Sequence, residues 1–374
     1  MIRLTIPSVD ENDLEAVRRV LISGYLVQGR EVAALEEAIG NYVGTRFAVV
    51  VANCTAALHL SLLALKVGPG DLVAVTAYSW PATANVIALC GAEPLFVDID
   101  PTTFNMSPDA LEEALRKASV KAILPVHAFG GMADMPRIAE IASIYGVPIV
   151  EDAACALGAA LAGRKAGTWG IMGCFSFHPR KAITTGEGGV ITTNDEALAR
   201  ELRALRNHGL DPDSPSPDFI LPGYNLRMTE FQAALGSSQL ERIERIIAAR
   251  RKAAARYDSL LTGTSLQVPR ALKNARHVYQ SYVALLPNCT DPGRDRVIGV
   301  LKSRGIETTI GTHHIPLTTW FRARGGFRSG DFPNADDVMA RALALPLYES
   351  ITEEDQSEVV SALRSETDGV LCDS

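Results

Sequence analysis

The sequence predicts an α/β protein: a three-layer sandwich around a seven-stranded, mixed but mostly parallel sheet, with a smaller α+β domain at its C-terminal end. Three observations lead there. Between residues 47 and 151, short β-branched runs alternate with helical ones, the pattern of a sheet covered by helices on both faces. The strand runs are continuously apolar, as burial on both sides requires. The last two, 174–177 and 189–193, are separated by eleven Pro- and Gly-rich residues. A parallel crossover needs about a dozen or more residues and usually a helix, so the final strand is expected to run antiparallel.

Taken in order, Leu14, Val17, Val20 and Leu21 share one face of a helix over 10–22, stopped by Ser23-Gly24. The glycine-closed loop 24–30 leads into a second helix over 31–42, with Val32, Leu35 and Ile39 on one side. Strands follow at 47–51, 72–76, 95–98, 121–125 and 147–151. The helices between them fall at 55–66, 82–89, 108–118 and 135–145. After the antiparallel strand come a helix over 195–207 and a loop over 211–218 rich in Asp, Ser and Pro. One long helix is expected over 229–256. Beyond it, strands near 279–286 and 307–310 and helices near 295–304 and 353–363 form the small domain. The boundary is placed at 244/245, which gives domains of 1–244 and 245–374.

Composition narrows the function classes. The chain has 374 residues, 47% hydrophobic and 21% charged, so it can bury a full core. A net charge of −7 lacks the basic footprint of a nucleic-acid partner. No apolar run reaches the ~18 residues that span a bilayer. The start of the chain does not read as a signal peptide. The six cysteines show no CxxC pair and no metal-ligand spacing, which fits reduced thiols, a cytoplasmic protein and no metal site.

Ligands of open α/β sheets bind beyond the carboxyl ends of the strands. The first strand delivers Cys54 and Thr55 at the start of a helix, whose N–H groups favour phosphate. The second delivers Trp80, an aromatic face for a flat ring. The fifth delivers Asp152, a carboxylate that burial obliges to be paired or to serve a ligand. The sixth delivers Ser176 and then Lys181, a nucleophile whose pKa burial should depress. Phosphate cradle, ring face, carboxylate and lysine together match pyridoxal 5′-phosphate. Competing sites lack their signatures: there is no GxGxxG after the first strand, no GxxxxGK[ST] and no HExxH. Asp98 and Asp100 could suggest Mg²⁺, but the residues after them read as a turn.

The motifs Thr55-Ala-Ala-Leu-His59, Phe96-Val-Asp-Ile-Asp100, Glu151-Asp-Ala-Ala154, Cys174-Phe-Ser-Phe-His-Pro-Arg-Lys181, Gly186-Glu-Gly-Gly189, Arg206-Asn-His-Gly209, Tyr224-Asn-Leu-Arg-Met228 and Gly311-Thr-His-His314 occur in this order. On them, nearly the whole chain resembles the sugar aminotransferases named after DegT, DnrJ, EryC and StrS. The resemblance implies the aspartate-aminotransferase fold (fold type I) and dependence on pyridoxal phosphate. It implies Lys181 as Schiff-base lysine and proton shuttle, Asp152 at the pyridinium nitrogen, Trp80 on the ring, and Cys54, Thr55 and Ser176 on the phosphate. Asn225 would reach the phosphate of a neighbouring subunit, in a homodimer with shared active sites. His314, Arg180 and Tyr25 are candidate substrate contacts. The amino donor would be L-glutamate and the acceptor a nucleotide-linked keto-sugar. The turn after Lys181 looks more like relatives that aminate C4 than C3. Two departures stand out: Cys155 and Leu157 replace a usual Gln and His, and Cys54 replaces a usual Gly. A related branch of sugar dehydratases carries His in place of the lysine. A cofactor-binding regulatory protein is the alternative outside enzymes.

Overall fold

The architecture comes from a computed structural model that describes residues 1–367. Helices α1 (Glu11–Ser23) and α2 (Arg30–Val43) precede strand β1 (Phe47–Val51). Helix α3 (Cys54–Ala64), β2 (Leu72–Thr76), α4 (Ala82–Leu89), β3 (Glu93–Val97), α5 (Pro108–Lys117), β4 (Ala122–Leu124), α6 (Met135–Tyr145) and β5 (Val150–Asp152) then alternate. Strands β6 (Met172–Ser176) and β7 (Gly189–Thr193) complete the set, and α7 (Glu196–Arg206) follows.

The expected single seven-stranded sheet is resolved into two hydrogen-bonded sheets, with strand orders β1-β7-β6-β5 and β3-β2-β4. They meet through isolated parallel bridges, Ile123 with Ile149 and Val126 with Asp152. Two prolines thin the seam. Pro125 and Pro148 each accept a backbone bond there, from Asp152 and Ile123, but neither has an N–H to return. Strand β7 runs antiparallel to both β1 and β6, while β5 and β6 are parallel. The carboxyl ends of the parallel strands therefore share one edge with the start of β7.

Alternate residues of β1 enter different cores, which is why the strand is apolar throughout. Val49 and Val51 pack with Leu58 and Leu60 of α3 and Ile87 of α4. Ala48 and Val50 pack with Leu35 and Ile39 of α2 and Ile138 of α6. Helices on both faces make three layers.

The long helix expected over 229–256 is two helices, α8 (Glu230–Leu240) and α9 (Ile243–Leu260). The chain leaves helical geometry at Arg242, whose guanidinium is pulled onto Asp13 of α1 and the Ser8 carbonyl. No Gly or Pro marks this break, so helical periodicity runs across it unbroken. The C-terminal elements include Tyr282–Leu285, Thr309–Ile310 and Ala342–Leu345 in one sheet, with α-helices Asp291–Ser303 and Glu353–Thr367. Helices Thr319–Gly325 and Pro333–Arg341 and the strand Ala342–Leu345 were not anticipated. The first residues join this region: Ile2 bridges Ile306 and lies in its core. Asp98 caps the Pro333–Arg341 helix by accepting from Asn334 and Ala335 N–H, and Asp100 closes a turn onto Thr102 and Thr103.

Buried Glu230 ties α8 to α2 by accepting from the backbone N–H groups of Gly29, Glu31 and Val32 at 2.6, 3.0 and 3.0 Å. A carboxylate at these N–H groups answers the unpaired donors and dipole of a helix start. Replacing Glu230 by Ala should lower unfolding free energy by about 3 kcal/mol. A urea midpoint equal to that of the unmodified protein would show that the cap contributes nothing.

Candidate active site

The site lies at the shared edge. Asn53 stops β1 and caps α3, its side chain accepting from Ala56 N–H at 2.8 Å. Cys54 is buried at the helix start and Thr55 is exposed beside it. Strand β7 approaches closely here: a Cβ on Gly189 would stand 2.5 Å from the Asn53 carbonyl carbon and 2.7 Å from Cys54 N. Only glycine allows that approach. Gly189 also pairs with Ser176 at the end of β6, so helix start, glycine and serine form one floor.

Asp152 ends β5 fully inside. Its Oδ2 accepts from the Thr83 hydroxyl at 2.7 Å and its Oδ1 from Ala154 N–H at 3.1 Å. Ser79 contacts the same threonine at 3.1 Å. Burial pushes the Asp152 carboxyl above its ordinary value; Thr83, Ala154 and Lys181 pull the other way without cancelling it. The preceding residue fixes the strand end. Glu151 is fully buried and accepts from Gly167, Trp169 and Gly170 N–H at 2.8, 2.6 and 2.7 Å. It also meets His127 at 2.9 Å; since Ala133 N–H donates to Nδ1 of that ring, the proton sits on Nε2 and is donated to Glu151.

Lys181 follows a tight loop. Phe177 carbonyl accepts from Thr185 N–H and the Thr184 hydroxyl, and Gly186 turns the chain with φ of +80°. The Lys181 ammonium donates to the Cys155 sulfur at 3.0 Å. The expected depression of its pKa is not found. Burial does pull the ammonium down, but Cys155, Cys54 and Asp152 outweigh it and leave Lys181 above the ordinary lysine value. Sequence reasoning counted the burial and could not count the neighbours. Burial raises the Cys54 and Cys174 thiols, with Cys174 against Ser61 at 3.3 Å.

The remaining candidates are spread around this centre. Trp80 is 63% exposed and its ring lies 5.4 Å from that of His313. His313 and His314 form a short strand against Tyr78–Ser79, so one turns to each side. His314 is buried, 3.3 Å from Asp336 and edge-on to Phe332. His313, not singled out from the sequence, is the one beside Trp80. Arg180 is exposed; its carbonyl accepts from Gln280 of the C-terminal region at 3.0 Å. Tyr25 and Asn225 are exposed, Asn225 pairing through its backbone with Asn207. Thr83, Glu151 and His127 were also missed. Each acts through a contact distant in sequence, and although Glu151 opens the motif 151–154, nothing in that motif announces its partners.

A lysine and a buried carboxylate converging on a helix start, over a floor only glycine permits, suit a cofactor with an aldehyde, a basic ring nitrogen and a phosphate. This is the site of a pyridoxal-phosphate-dependent aminotransferase. The chain belongs to the DegT/DnrJ/EryC1/StrS aminotransferase family, whose model matches residues 7–364. It is 38% identical over 365 residues to GDP-perosamine synthase of Caulobacter vibrioides, covering 97% of each chain. Among solved structures, it superposes on Helicobacter pylori PseC, an aminotransferase involved in the biosynthesis of pseudoaminic acid, with TM-score 0.93, 26% identity and coverage of 98% and 99%. The PLP form of a candidate sugar aminotransferase of Streptococcus pneumoniae, Spr1654, matches with TM-score 0.92, 28% identity and coverage of 99% of each chain. The protein is thus a sugar aminotransferase that uses pyridoxal phosphate.

Thr83 offers a test of the carboxylate's support. Thr83→Val should weaken pyridoxal phosphate binding about tenfold, the size of one hydrogen bond to a charged group. The loss should grow as pH falls, because removing the donor raises the Asp152 pKa further. Thr83→Ser should bind nearly as the parent does. Equal dissociation constants for the valine variant at pH 6 and pH 8, matching the parent, would reject this role.

Proposed function

We propose that the enzyme moves an amino group from L-glutamate to a nucleotide-linked 4-keto-6-deoxyhexose. The observation that carries the reaction is the convergence of Lys181, Asp152 and Cys54 at one sheet edge, where Lys181 and Asp152 act electrostatically on each other and on Cys54. Pyridoxal phosphate, when bound, supplies an aldehyde and an electron-withdrawing ring. Lys181 Nζ would hold the group and would carry the proton taken from the donor's α-carbon. The Asp152 carboxylate would pair with the ring nitrogen and favour its protonated form. Cys54 and Thr55 at the α3 start and Ser176 at the β6 end hold the phosphate. Trp80 would offer its face to the ring. His314, Arg180 and Tyr25 are the residues we assign to the sugar side, and residues 245–374 form the small domain that borders it.

The relative named GDP-perosamine synthase supports a nucleotide-linked substrate. Amination at C4 rests on the likeness of the 183–189 turn to relatives with that specificity. We place the enzyme as a homodimer in which Asn225 reaches the partner's phosphate site. Exposed Tyr25, Leu26, Val27, Phe219, Ile220 and Tyr224 support this. The two segments flank the chain around Asn225, with Val27 bridged to Thr229 and Leu210 to Phe219.

Borohydride reduction of the loaded protein should fix the cofactor on the peptide bearing Lys181, and Lys181→Ala should lose transamination by several orders of magnitude. Full activity in that variant would reject the role of Nζ. Offered nucleotide 4-keto and 3-keto sugars with glutamate, the enzyme should consume the 4-keto compound; use of the 3-keto sugar alone would overturn the positional assignment.

A further inference from the structure

Cys155 takes the place of a glutamine that the family resemblance leads one to expect, and it touches the nitrogen of Lys181. Its Sγ accepts from Lys181 Nζ at 3.0 Å, and among the described residues it is the one hydrogen-bond partner of that nitrogen. The turn that carries it is pinned. Ala153 N–H donates to the Cys174 carbonyl at 2.8 Å and Ala156 N–H to the Ala153 carbonyl at 2.8 Å, while Gly130 packs against the Cys155 carbonyl. The thiol therefore cannot drift with the lysine. Of the five described cysteines it alone is not buried; Cys372 lies outside the described residues.

We propose that Cys155 is a positioning residue for Lys181: whenever the lysine is off the cofactor, its ammonium is parked on the Cys155 thiol, and this contact sets the pH at which the pocket captures an aldehyde. The inference rests on the reading of Lys181 as the lysine that binds pyridoxal phosphate. Capture needs the neutral amine, so whatever holds the charged form delays it. The groups that face Lys181 are few. Asp152 and Cys155 come from the end of β5 and the turn after it, Cys54 from the α3 start, and His178 from its own loop; Arg180 acts on His178. Cys155 leads those that favour the ammonium, and burial opposes them. Removing the thiol leaves burial less opposed, so the proton should leave at lower pH. A glutamine at this position would be longer and would bring both an amide donor and a carbonyl acceptor. The single short thiol meets only the lysine.

Two measurements on the full-length protein test this. The first is the rate of pyridoxal phosphate capture, followed by absorbance across pH. The second is acetylation of Lys181 by acetic anhydride across pH in the cofactor-free chain, read by peptide mass spectrometry. In Cys155→Ala both midpoints should move down by about one pH unit, and capture at neutral pH should speed up several-fold, up to about tenfold. Cys155→Ser, which keeps an acceptor, should return both midpoints most of the way to those of the parent. A residue that only filled space would change neither midpoint. Acetylation midpoints that coincide in the parent and Cys155→Ala overturn the proposal, whatever the capture rates. If the parent captures no cofactor on Lys181, the lysine assignment fails, and the acetylation profiles still decide whether Cys155 holds the ammonium.

Discussion

The structure depends on keeping a carboxylate, Asp152, where water cannot serve it. An ionised carboxyl inside a protein is costly unless donors replace its hydration. Here two donors do so, the Thr83 hydroxyl and Ala154 N–H, and they leave the carboxyl above its ordinary value. Such a group is incomplete by itself. A cationic ring nitrogen, such as a pyridoxal cofactor presents, would satisfy it. The fold spends several other buried contacts on holding this one side chain still.

The neighbour in sequence does much of that. Glu151 receives three backbone N–H groups of the 167–170 loop and the Nε2 proton of His127, so β5 cannot slide in register. A one-residue slip would turn Asp152 out of the site and Glu151 into it. On the other side of the edge, glycine at 189 lets β7 touch the α3 start. Lysine, carboxylate and helix start are thus positioned by three separate constraints: a polar knot, a missing side chain and a loop closed on the Phe177 carbonyl.

The electrostatics of Lys181 show how local reasoning fails. Burial of a lysine argues for a depressed pKa, and that argument is sound for burial alone. The neighbours reverse it, and they come from the end of β5, the turn after it and the start of α3, distant in sequence. The same limit hid Thr83, which reads as an ordinary helix residue until its hydroxyl is seen on Asp152. It also hid His313: adjacent histidines on a strand point to opposite sides, and only pairing with Tyr78–Ser79 decides which of them stands beside Trp80.

The sequence by itself determined the layer order, the antiparallel turn of β7 and the family of the chain. These follow from short-range patterns: apolar strands buried on both faces, helices between them, and motifs at strand ends. It also offers Asp152 and Lys181 as candidates, the aspartate because a charged residue at the end of a buried strand is unusual. Tertiary structure alone decided how the sheet divides at Pro125 and Pro148, where the helix after Thr229 breaks, and which groups hold Asp152 and Lys181. Each of those outcomes depends on atoms that meet from distant parts of the chain: a missing N–H opposite a partner strand, Arg242 drawn to Asp13, a thiol beside an ammonium. No periodicity records such meetings, so they appear only once the chain is folded.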